Sequence, residues 1–264
     1  MTYDNAVILV PGFFGFGRLG TFYYFADRVA ACLRGAAEVA FNRMTPVMGV
    51  ATVPAGSLAE RQEFLLKRLT EADDTLGHPG RFHLVGHSAG GVDIELLRAA
   101  TPLRPGKTWS DPDMDPNGVR ARLATITTIS SPHYGTYLAD SGVVGFIRHP
   151  IQHLSSLPET AAVALQLAKM ALERPVVHEA LSGSVASVRG LSDSAKFLVS
   201  LLTDDKLLSD LRPESMERIR REKPPVLQVP VTCFVTSVPP RPAVDQRKVP
   251  RIERKPDDFF EWIH

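Results

Sequence analysis

The chain has 264 residues, of which 44% are apolar, and its 30 basic side chains nearly balance its 29 acidic ones. This length and balance predict one compact domain with a large core, and they provide no basic surface for nucleic acid. No stretch approaches the ~18 consecutive apolar residues of a membrane span, and the short leader before the first apolar run predicts a cytoplasmic protein without a signal peptide.

The first predicted element is a buried strand over residues 6–10, AVILV, which is typical of the interior of a parallel sheet. In the segment that follows, PGFFGFG at residues 11–17, the proline ends strand pairing and the glycines allow the backbone to turn over the sheet edge. Phosphate-binding loops are also rich in glycine, and a GxGxxG spacing occurs at residues 15–20, but the P-loop lysine is absent and no acidic residue stands at the position expected after a second strand.

An aromatic cluster begins in the same loop. Seven aromatic residues fall within thirteen positions: Phe13, Phe14, Phe16, Phe22, Tyr23, Tyr24 and Phe25. Two uses remain open, namely packing in the core, which is the commoner role of aromatic side chains, and forming the wall of an apolar ligand pocket.

Helices and strands alternate along the next part of the chain. The apolar spacing predicts a helix over residues 22–33, a strand over 46–54 and a long helix over 58–76 with leucines along one side. Proline, glycine and aspartate predict a surface loop over 102–118. The alternation predicts βαβ units and a parallel sheet.

Residues 81–98, RFHLVGHSAGGVDIELLR, predict a strand and a helix joined by Gly86-His87-Ser88-Ala89-Gly90. This GxSxG pattern indicates a nucleophile elbow, in which the serine occupies a strained position in a sharp turn and its hydroxyl stands clear of the sheet. Glycines are required on both sides because side chains there would collide across the turn. The alternative is an ordinary strand-to-helix turn, but the apolar patterns on both sides favour the elbow.

Two main-chain N–H groups are predicted to lie beside Ser88. Ala89 follows the serine in the elbow, and Phe13 lies in the glycine-rich loop that should reach the same end of the sheet. Together they would form an oxyanion hole, which binds the negative oxygen that develops when a serine attacks a carbonyl carbon.

The segment LATITTISSPHYGT at residues 123–136 predicts a β-branched strand that ends in a turn. With this segment, LVPGFFGFG and LVGHSAGG, the chain resembles the bacterial triacylglycerol lipases of the α/β-hydrolase superfamily, whose versions are similar to TIxTPHxGS, HGLxGF and GHSxGG. The likeness covers residues 5–140. Pro11 stands where those lipases usually have histidine, and Tyr134 where they often have arginine or lysine, so we expect a difference in substrate preference rather than in reaction type.

The resemblance implies an α/β fold of the α/β-hydrolase type, a mainly parallel sheet flanked by helices with a helical cap or lid insertion. We expect a single domain over residues 1–264. Its core would comprise about 1–137 and 226–264, and the cap about 138–225.

Helical stretches over residues 159–173, 192–202 and 213–222 fall in the cap, and a strand over 229–238 returns to the core. Such a cap could move as a lid that excludes water, or it could cover the sheet edge as fixed structure. Amphipathic spacing does not separate these alternatives. The predicted acyl pocket consists of Phe14, Phe16, Tyr23, His133 and Tyr134.

A serine nucleophile needs an acid and a histidine, which follow it in that order in this fold. After the last predicted strand the chain offers only His264, preceded by three aspartates, and no further strand presents that histidine to Ser88. In the lipases that the chain resembles, the acid and the histidine come later. We therefore expect both to lie beyond residue 264, because the chain is a piece of a longer hydrolase or because its gene product has lost its last third.

No cofactor is required, and no CxxC or HExxH spacing predicts a metal site. Cys32 and Cys233 lie in apolar runs, which predicts two reduced, buried thiols. The calcium site often found in lipases of this kind would depend on residues outside this chain, so none is predicted.

Two classes of function remain open. In the first, a carboxylic-ester hydrolase, Ser88 forms an acyl-enzyme from an acyl ester or lipid and water releases the acid. An acyltransferase or thioesterase would share the first half of that reaction. The second class is a catalytically incomplete hydrolase fold that serves as a binding module.

Overall fold

The structure is a computed structural model that describes residues 3–13, 15, 18–19, 22–137, 139 and 206–236. Within these residues the strands are β1 (Asn5–Val10), β2 (Arg18–Leu19), β3 (Phe22–Tyr23), β4 (Val47–Gly49), β5 (Arg81–His87), β6 (Leu123–Ile129) and β7 (Val231–Phe234). The α-helices are α1 (Asp27–Phe41), α2 (Leu58–Thr75), α3 (Ala89–Glu95), α4 (Lys206–Asp210) and α5 (Pro213–Glu222). Five strands form one parallel sheet in the order β4-β1-β5-β6-β7, and β2 pairs with β3 separately.

The sheet lies between two layers of helices. Successive side chains of β1 point to opposite faces of the sheet, so each layer packs against a different set of them. Ala6, Ile8 and Val10 pack with α2 and α3 in one apolar cluster. Val7 and Leu9 pack with α1 in another. A strand that is covered on both faces can be apolar on both, as β1 is from Ala6 to Val10. The predicted fold class, a mainly parallel sheet flanked by helices, is confirmed.

Helix α2 begins and ends almost where the leucine spacing predicts, at Leu58–Thr75 instead of 58–76. Its first turn carries a capping box, in which Ser57 Oγ accepts from the Glu60 N–H at 3.3 Å and the Glu60 carboxylate accepts from the Ser57 N–H at 2.8 Å. The four leucines predicted along one side are all buried: Leu58, Leu65, Leu69 and Leu76.

The helix predicted over residues 22–33 is wrong at its start. Residues 22–23 form β3, which pairs with β2, and α1 begins only at Asp27. Consecutive aromatic residues fit the apolar spacing of a strand and of a helix equally well over so short a stretch. Helix α1 ends before Asn42, whose φ of 51° lies in the left-handed region that terminates helices.

Both cysteines are exposed, so the prediction of two buried thiols is wrong. Cys32 lies on α1, whose buried residue is Ala37. Cys233 lies on β7, the edge strand of the sheet that the described residues form, and three of the four residues of β7 are exposed. A strand at the edge of the described sheet has a neighbouring strand on one side only, so its apolar side chains are less buried than those of a central strand. Strand β7 is also shorter than the strand predicted over 229–238.

Helix α5 covers Pro213–Glu222, the range that the sequence predicts, with proline in its first turn. Helix α4 precedes it and was not predicted; both helices contribute to one apolar cluster with Phe13, Ala89 and Val92. The helices predicted over 159–173 and 192–202 lie outside the described residues. None of the described helices combines the length and the apolar character needed to cross a bilayer.

Candidate active site

Ser88 joins β5 to α3 at the position that the elbow motif predicts. Its φ of 55° and ψ of −130° lie in a region that residues with a side chain rarely occupy. Such a backbone costs about 1–3 kcal/mol, so its surroundings must hold it in place. The Ser88 N–H donates to Ile129 O at 2.9 Å, and the Gly91 N–H donates to Ser88 O at 3.0 Å. The serine is thereby attached to both β6 and α3.

Contacts across the turn account for the glycines of the motif. A Cβ atom at Gly86 would lie 2.5 Å from Gly90 O, and one at Gly90 would collide with Pro11 O. A Cβ atom at Gly91 would overlap Ser131 Oγ. Main chain packed this closely leaves no room for a methyl group. The predicted collision across the turn is found at Gly86, whereas Gly90 is required because the main chain at the end of β1 lies against it.

The glycine-rich loop after β1 lies against the elbow. A Cβ atom at Gly12 would be only 2.7 Å from Ser88 Cβ, so glycine is required for the close approach. Phe13 and Ala89, whose N–H groups are the predicted oxyanion donors, are both buried and belong to the same apolar cluster. The loop thus reaches the serine, while the convergence of the two N–H groups on a substrate oxygen stays a prediction.

A buried ion pair between Arg61 and Asp93 supports this loop, and it was not predicted from the sequence. Neither side chain has exposed surface. The Asp93 carboxylate accepts from Arg61 Nε at 3.0 and 3.1 Å and from Nη2 at 2.5 Å. The same guanidinium donates to carbonyl oxygens of two loops: Pro11, Gly12, Val53 and Pro54. Arg61 therefore connects α2, α3 and the loop that covers Ser88.

One signal in the sequence could have revealed this pair. Arg61 lies three residues after Leu58 and four before Leu65, so it falls on the buried side of α2. A charged side chain at such a position needs a buried partner. Burial raises the pKa of Asp93, and the positive charge of Arg61 opposes that rise.

Tyr24 and His87 form a second polar contact beside the serine. Tyr24 Oη lies 2.6 Å from His87 Nδ1, and a Cβ atom at Gly12 would be 2.7 Å from the same oxygen. Burial raises the pKa of Tyr24, although a main-chain hydrogen bond from Gly12 and the charge of Arg61 oppose the rise. Burial also lowers the pKa of His87. The phenol therefore keeps its proton at neutral pH and donates a hydrogen bond to the neutral imidazole.

The structure describes two of the side chains predicted for the acyl pocket. His133 is largely buried in the turn after β6, and Tyr134 is 76% exposed, with the Arg220 guanidinium 4.5 Å from its ring centre. Phe14 and Phe16 lie outside the described residues, and of Tyr23 the structure describes only the main chain, in β3. The acyl pocket stays a prediction.

The described residues include four histidines: His78, His83, His87 and His133. His78 Nδ1 is 2.8 Å from an Asp73 oxygen, and His83 Nδ1 is 2.9 Å from Thr125 Oγ1. His264 and the three aspartates before it lie outside the described residues. The acid and the histidine of a proton relay therefore stay a prediction.

Among the described residues, one group of side chains could in principle hold a cation: Asp73, Asp74 and His78, whose ligand atoms all lie within 4.8 Å of one another. The Asp73 carboxylate is already bonded to Arg122 Nη1 at 2.8 Å and to Asn117 Nδ2 at 3.0 Å. These bonds join α2 to the loop before β6 and account for the cluster without an ion.

Comparison with known proteins gives one informative sequence relative. The triacylglycerol lipase of Pseudomonas fragi is 27% identical over 159 residues, which is 60% of this chain and 43% of the lipase. The chain thus spans less than half the length of that relative. No family model matches the sequence.

Several solved structures of bacterial lipases and esterases are similar in part. Staphylococcus hyicus lipase matches at TM-score 0.46 and 19% identity, covering 83% of this chain and 63% of the lipase. EstA from Clostridium botulinum matches at TM-score 0.47 and 17% identity, covering 82% of this chain and 56% of EstA. The mature lipase BlEst2 of Bacillus licheniformis matches at TM-score 0.42 and 14% identity, covering 86% and 63%.

Three findings bear on the fold of the chain and on the proteins that it is similar to. The parallel strand order places β5 at the centre of the sheet, and Ser88 follows it in a strained turn. The sequence relative carries the name of a lipase. The chain therefore has the α/β-hydrolase fold and is similar to bacterial lipases and esterases.

Proposed function

We propose that the chain carries the nucleophile of a carboxylic-ester hydrolase, and that this nucleophile is Ser88. The observation that supports the proposal is the backbone of Ser88, held at φ 55° with the loop after β1 against its Cβ. A strained serine between a central strand and a helix is the arrangement that exposes a nucleophilic oxygen at the end of the sheet.

The reaction begins when Ser88 Oγ attacks the carbonyl carbon of an acyl ester. The carbonyl electron pair moves to the oxygen, which accepts hydrogen bonds from the N–H groups of Phe13 and Ala89. Collapse of this intermediate expels the alcohol and leaves an acyl group on Ser88, and water then releases the acid. A histidine must accept and return the serine proton, and an acid must orient that histidine.

We propose acylglycerols or simpler acyl esters as the substrate class. The Pseudomonas fragi relative is named a triacylglycerol lipase, and the similar structures are named lipases or esterases. These names favour hydrolysis over acyl transfer to another acceptor, and over a binding module without chemistry.

The test uses a fluorophosphonate, which reacts covalently with activated serines, on the protein as its own cells produce it. Trypsin releases residues 82–98 as the peptide FHLVGHSAGGVDIELLR, in which Ser88 is the single hydroxyl-bearing side chain. We expect the phosphonate on this peptide by mass spectrometry. It should disappear in Ser88→Ala and persist in Ser131→Ala, which removes a neighbouring hydroxyl. An unlabelled peptide, in cells whose other serine hydrolases are labelled, would contradict the proposal and favour the binding module.

A further inference from the structure

A cysteine, a histidine and a glutamate lie in a row beside β6, and of these three only the histidine belongs to the predicted acyl pocket. Cys233 on β7 is the sheet neighbour of Thr128 on β6. His133 follows β6 and turns back, so that its Nε2 lies 4.0 Å from Cys233 Sγ and 2.9 Å from Thr128 Oγ1. Its other ring nitrogen, Nδ1, lies 3.5 Å from Glu95 Oε2 at the end of α3.

The position of Glu95 determines how His133 carries its proton. Nδ1 is buried without a hydrogen-bond partner among the described residues, and the Glu95 carboxylate lies 3.5 Å from it, so we assign the proton of the neutral ring to Nδ1, on the side of that carboxylate. Nε2 then presents a lone pair to the two hydrogen-bond donors in front of it, the Thr128 hydroxyl and the Cys233 thiol. A thiol gives up its proton far more readily than a hydroxyl, so the proton that His133 can accept comes from Cys233.

The charges around this row favour an ionised Glu95. Two arginines face the carboxylate, with Arg220 Nη1 of α5 at 3.7 Å and Arg98 Nη1 at 3.9 Å. Burial by itself would raise the pKa of Glu95, but His133 and the arginine charges outweigh it and hold that pKa below its usual value. An ionised Glu95 thus offsets the positive charge that His133 gains when it accepts the thiol proton during the attack.

We propose that Cys233 is a reactive thiol whose proton is accepted by His133, which Glu95 orients, and that Cys233 forms mixed disulfides with small disulfide molecules. Its sulfur attacks one sulfur of the disulfide, so that one S–S bond forms as the other breaks. The thiol proton passes to His133 Nε2 and then to the departing thiolate. Cys233 is exposed, so a small disulfide can reach it.

The chain contains its own comparison thiol. Cys32 is exposed on α1, and its sulfur has no hydrogen-bond partner in the described part of the chain. Trypsin releases it in VAACLR, residues 29–34, whereas Cys233 lies in a separate peptide. Both thiols therefore meet the same reagent in the same sample, and each mixed disulfide is measured by its own mass.

The experiment exposes the purified protein to oxidised glutathione and follows both peptides. At neutral pH we expect Cys233 to react about tenfold faster than Cys32, because His133 accepts its proton as the sulfur attacks. Equal rates for the two thiols would overturn the proposal without the need for any variant.

Variants then test whether His133 and Glu95 cause the higher reaction rate of Cys233. His133→Asn should bring the Cys233 rate down to that of Cys32, and Glu95→Gln should lower it in part. The Cys32 rate should not change in either variant, which shows that the reagent acts on an ordinary thiol as before, and far-UV circular dichroism checks that each variant remains folded. Ser88→Ala should leave both rates unchanged, so this proposal and the ester hydrolase proposal can fail independently. A Cys233 rate that His133→Asn leaves intact would overturn the role of His133.

Discussion

Ser88 keeps its unusual backbone because neighbouring positions lack the side chains that would displace it. Gly86 and Gly90 meet across the turn, and Gly12 brings the loop after β1 into contact with the serine. The strain of about 1–3 kcal/mol is thus stored in a place where close main-chain packing prevents relaxation. A methyl group at Gly86 or Gly90 would meet main chain and disturb folding, whereas one at Gly12 would meet the serine itself and act on its chemistry.

Gly12→Ala tests this at the glycine nearest to the serine. The new methyl group would sit 2.7 Å from both Ser88 Cβ and Tyr24 Oη, so the loop must move away from the elbow. A shift of this kind displaces the Phe13 N–H, and misplacement by about 1 Å costs on the order of 100-fold in rate. We expect fluorophosphonate labelling of Ser88 to slow by about that factor.

Gly35→Ala serves as the matched control, since a Cβ atom at Gly35 on α1 meets nothing within 4 Å. It should leave labelling unchanged and stabilise the protein by about 1 kcal/mol, because alanine favours a helix over glycine. Equal labelling of wild type and Gly12→Ala would show that the loop does not supply an oxyanion donor.

Single residues also show what a sequence reveals about a site and what it leaves hidden. The elbow could be predicted because the GxSxG spacing itself places glycines at positions 86 and 90, where a side chain would collide with main chain. The ion pair of Arg61 and Asp93 was missed because its partners are 32 positions apart, and only the fold brings them together. The exposure of Cys233 depends on the edge position of β7, which local apolarity does not encode.

Among the elements, those with redundant local signals were predicted best. Helix α2 has leucines on one side and a capping box at Ser57, and its observed range agrees with the prediction to one residue. Strand β3 has only two residues and depends on pairing with β2, so no periodic pattern could reveal it. Helix α4, five residues long, was missed for the same reason.

Arg61 holds α2, α3 and the loop after β1 together, so we expect its removal to lower both the stability of the protein and the labelling rate of Ser88. Arg61→Met leaves the Asp93 carboxylate buried without its partner, which costs about 3–5 kcal/mol of unfolding free energy. The carbonyl oxygens of Gly12 and Val53 also lose a donor. We expect urea denaturation to show a loss of this size, and labelling of Ser88 to slow in the remaining folded protein.

A double variant separates the two contributions. Arg61→Met combined with Asp93→Leu removes the buried charge altogether, and such replacements are often neutral or stabilising. It should recover most of the lost stability but not the labelling rate, because the loop carbonyls still lack their donor. Recovery of both would mean that Arg61 has no role in positioning the loop.

In the molecule as a whole, Glu95 connects three parts that are distant in sequence. It ends α3, faces His133 in the turn after β6, and lies beside Arg220 of α5. Helix α5 is thereby joined to the sheet by charge, in addition to its apolar contacts through Met216. The arrangement makes the attachment of α5 sensitive to acid.

The third prediction follows from the protonation of Glu95. Its pKa in the folded protein lies below the ordinary value of 4.5, since His133 and the arginine charges outweigh the effect of burial. The unfolded chain therefore takes up the proton at higher pH than the folded one. The stability that ionised Glu95 contributes is fully present above the ordinary value, and it is lost as the pH falls through the lower, folded one.

Comparison of wild type with Glu95→Gln isolates this contribution, because every other acidic group titrates in both proteins. We expect wild type to have the higher urea midpoint at neutral pH, and the difference between the two midpoints to narrow as the pH falls below the ordinary glutamate value of 4.5 and Glu95 takes up its proton. Glu63→Gln, which removes an exposed ion pair with Arg104, should change little at either pH, since surface pairs contribute little. A gap for Glu95→Gln that stays constant with pH would mean that its charge does not hold α5 to the sheet.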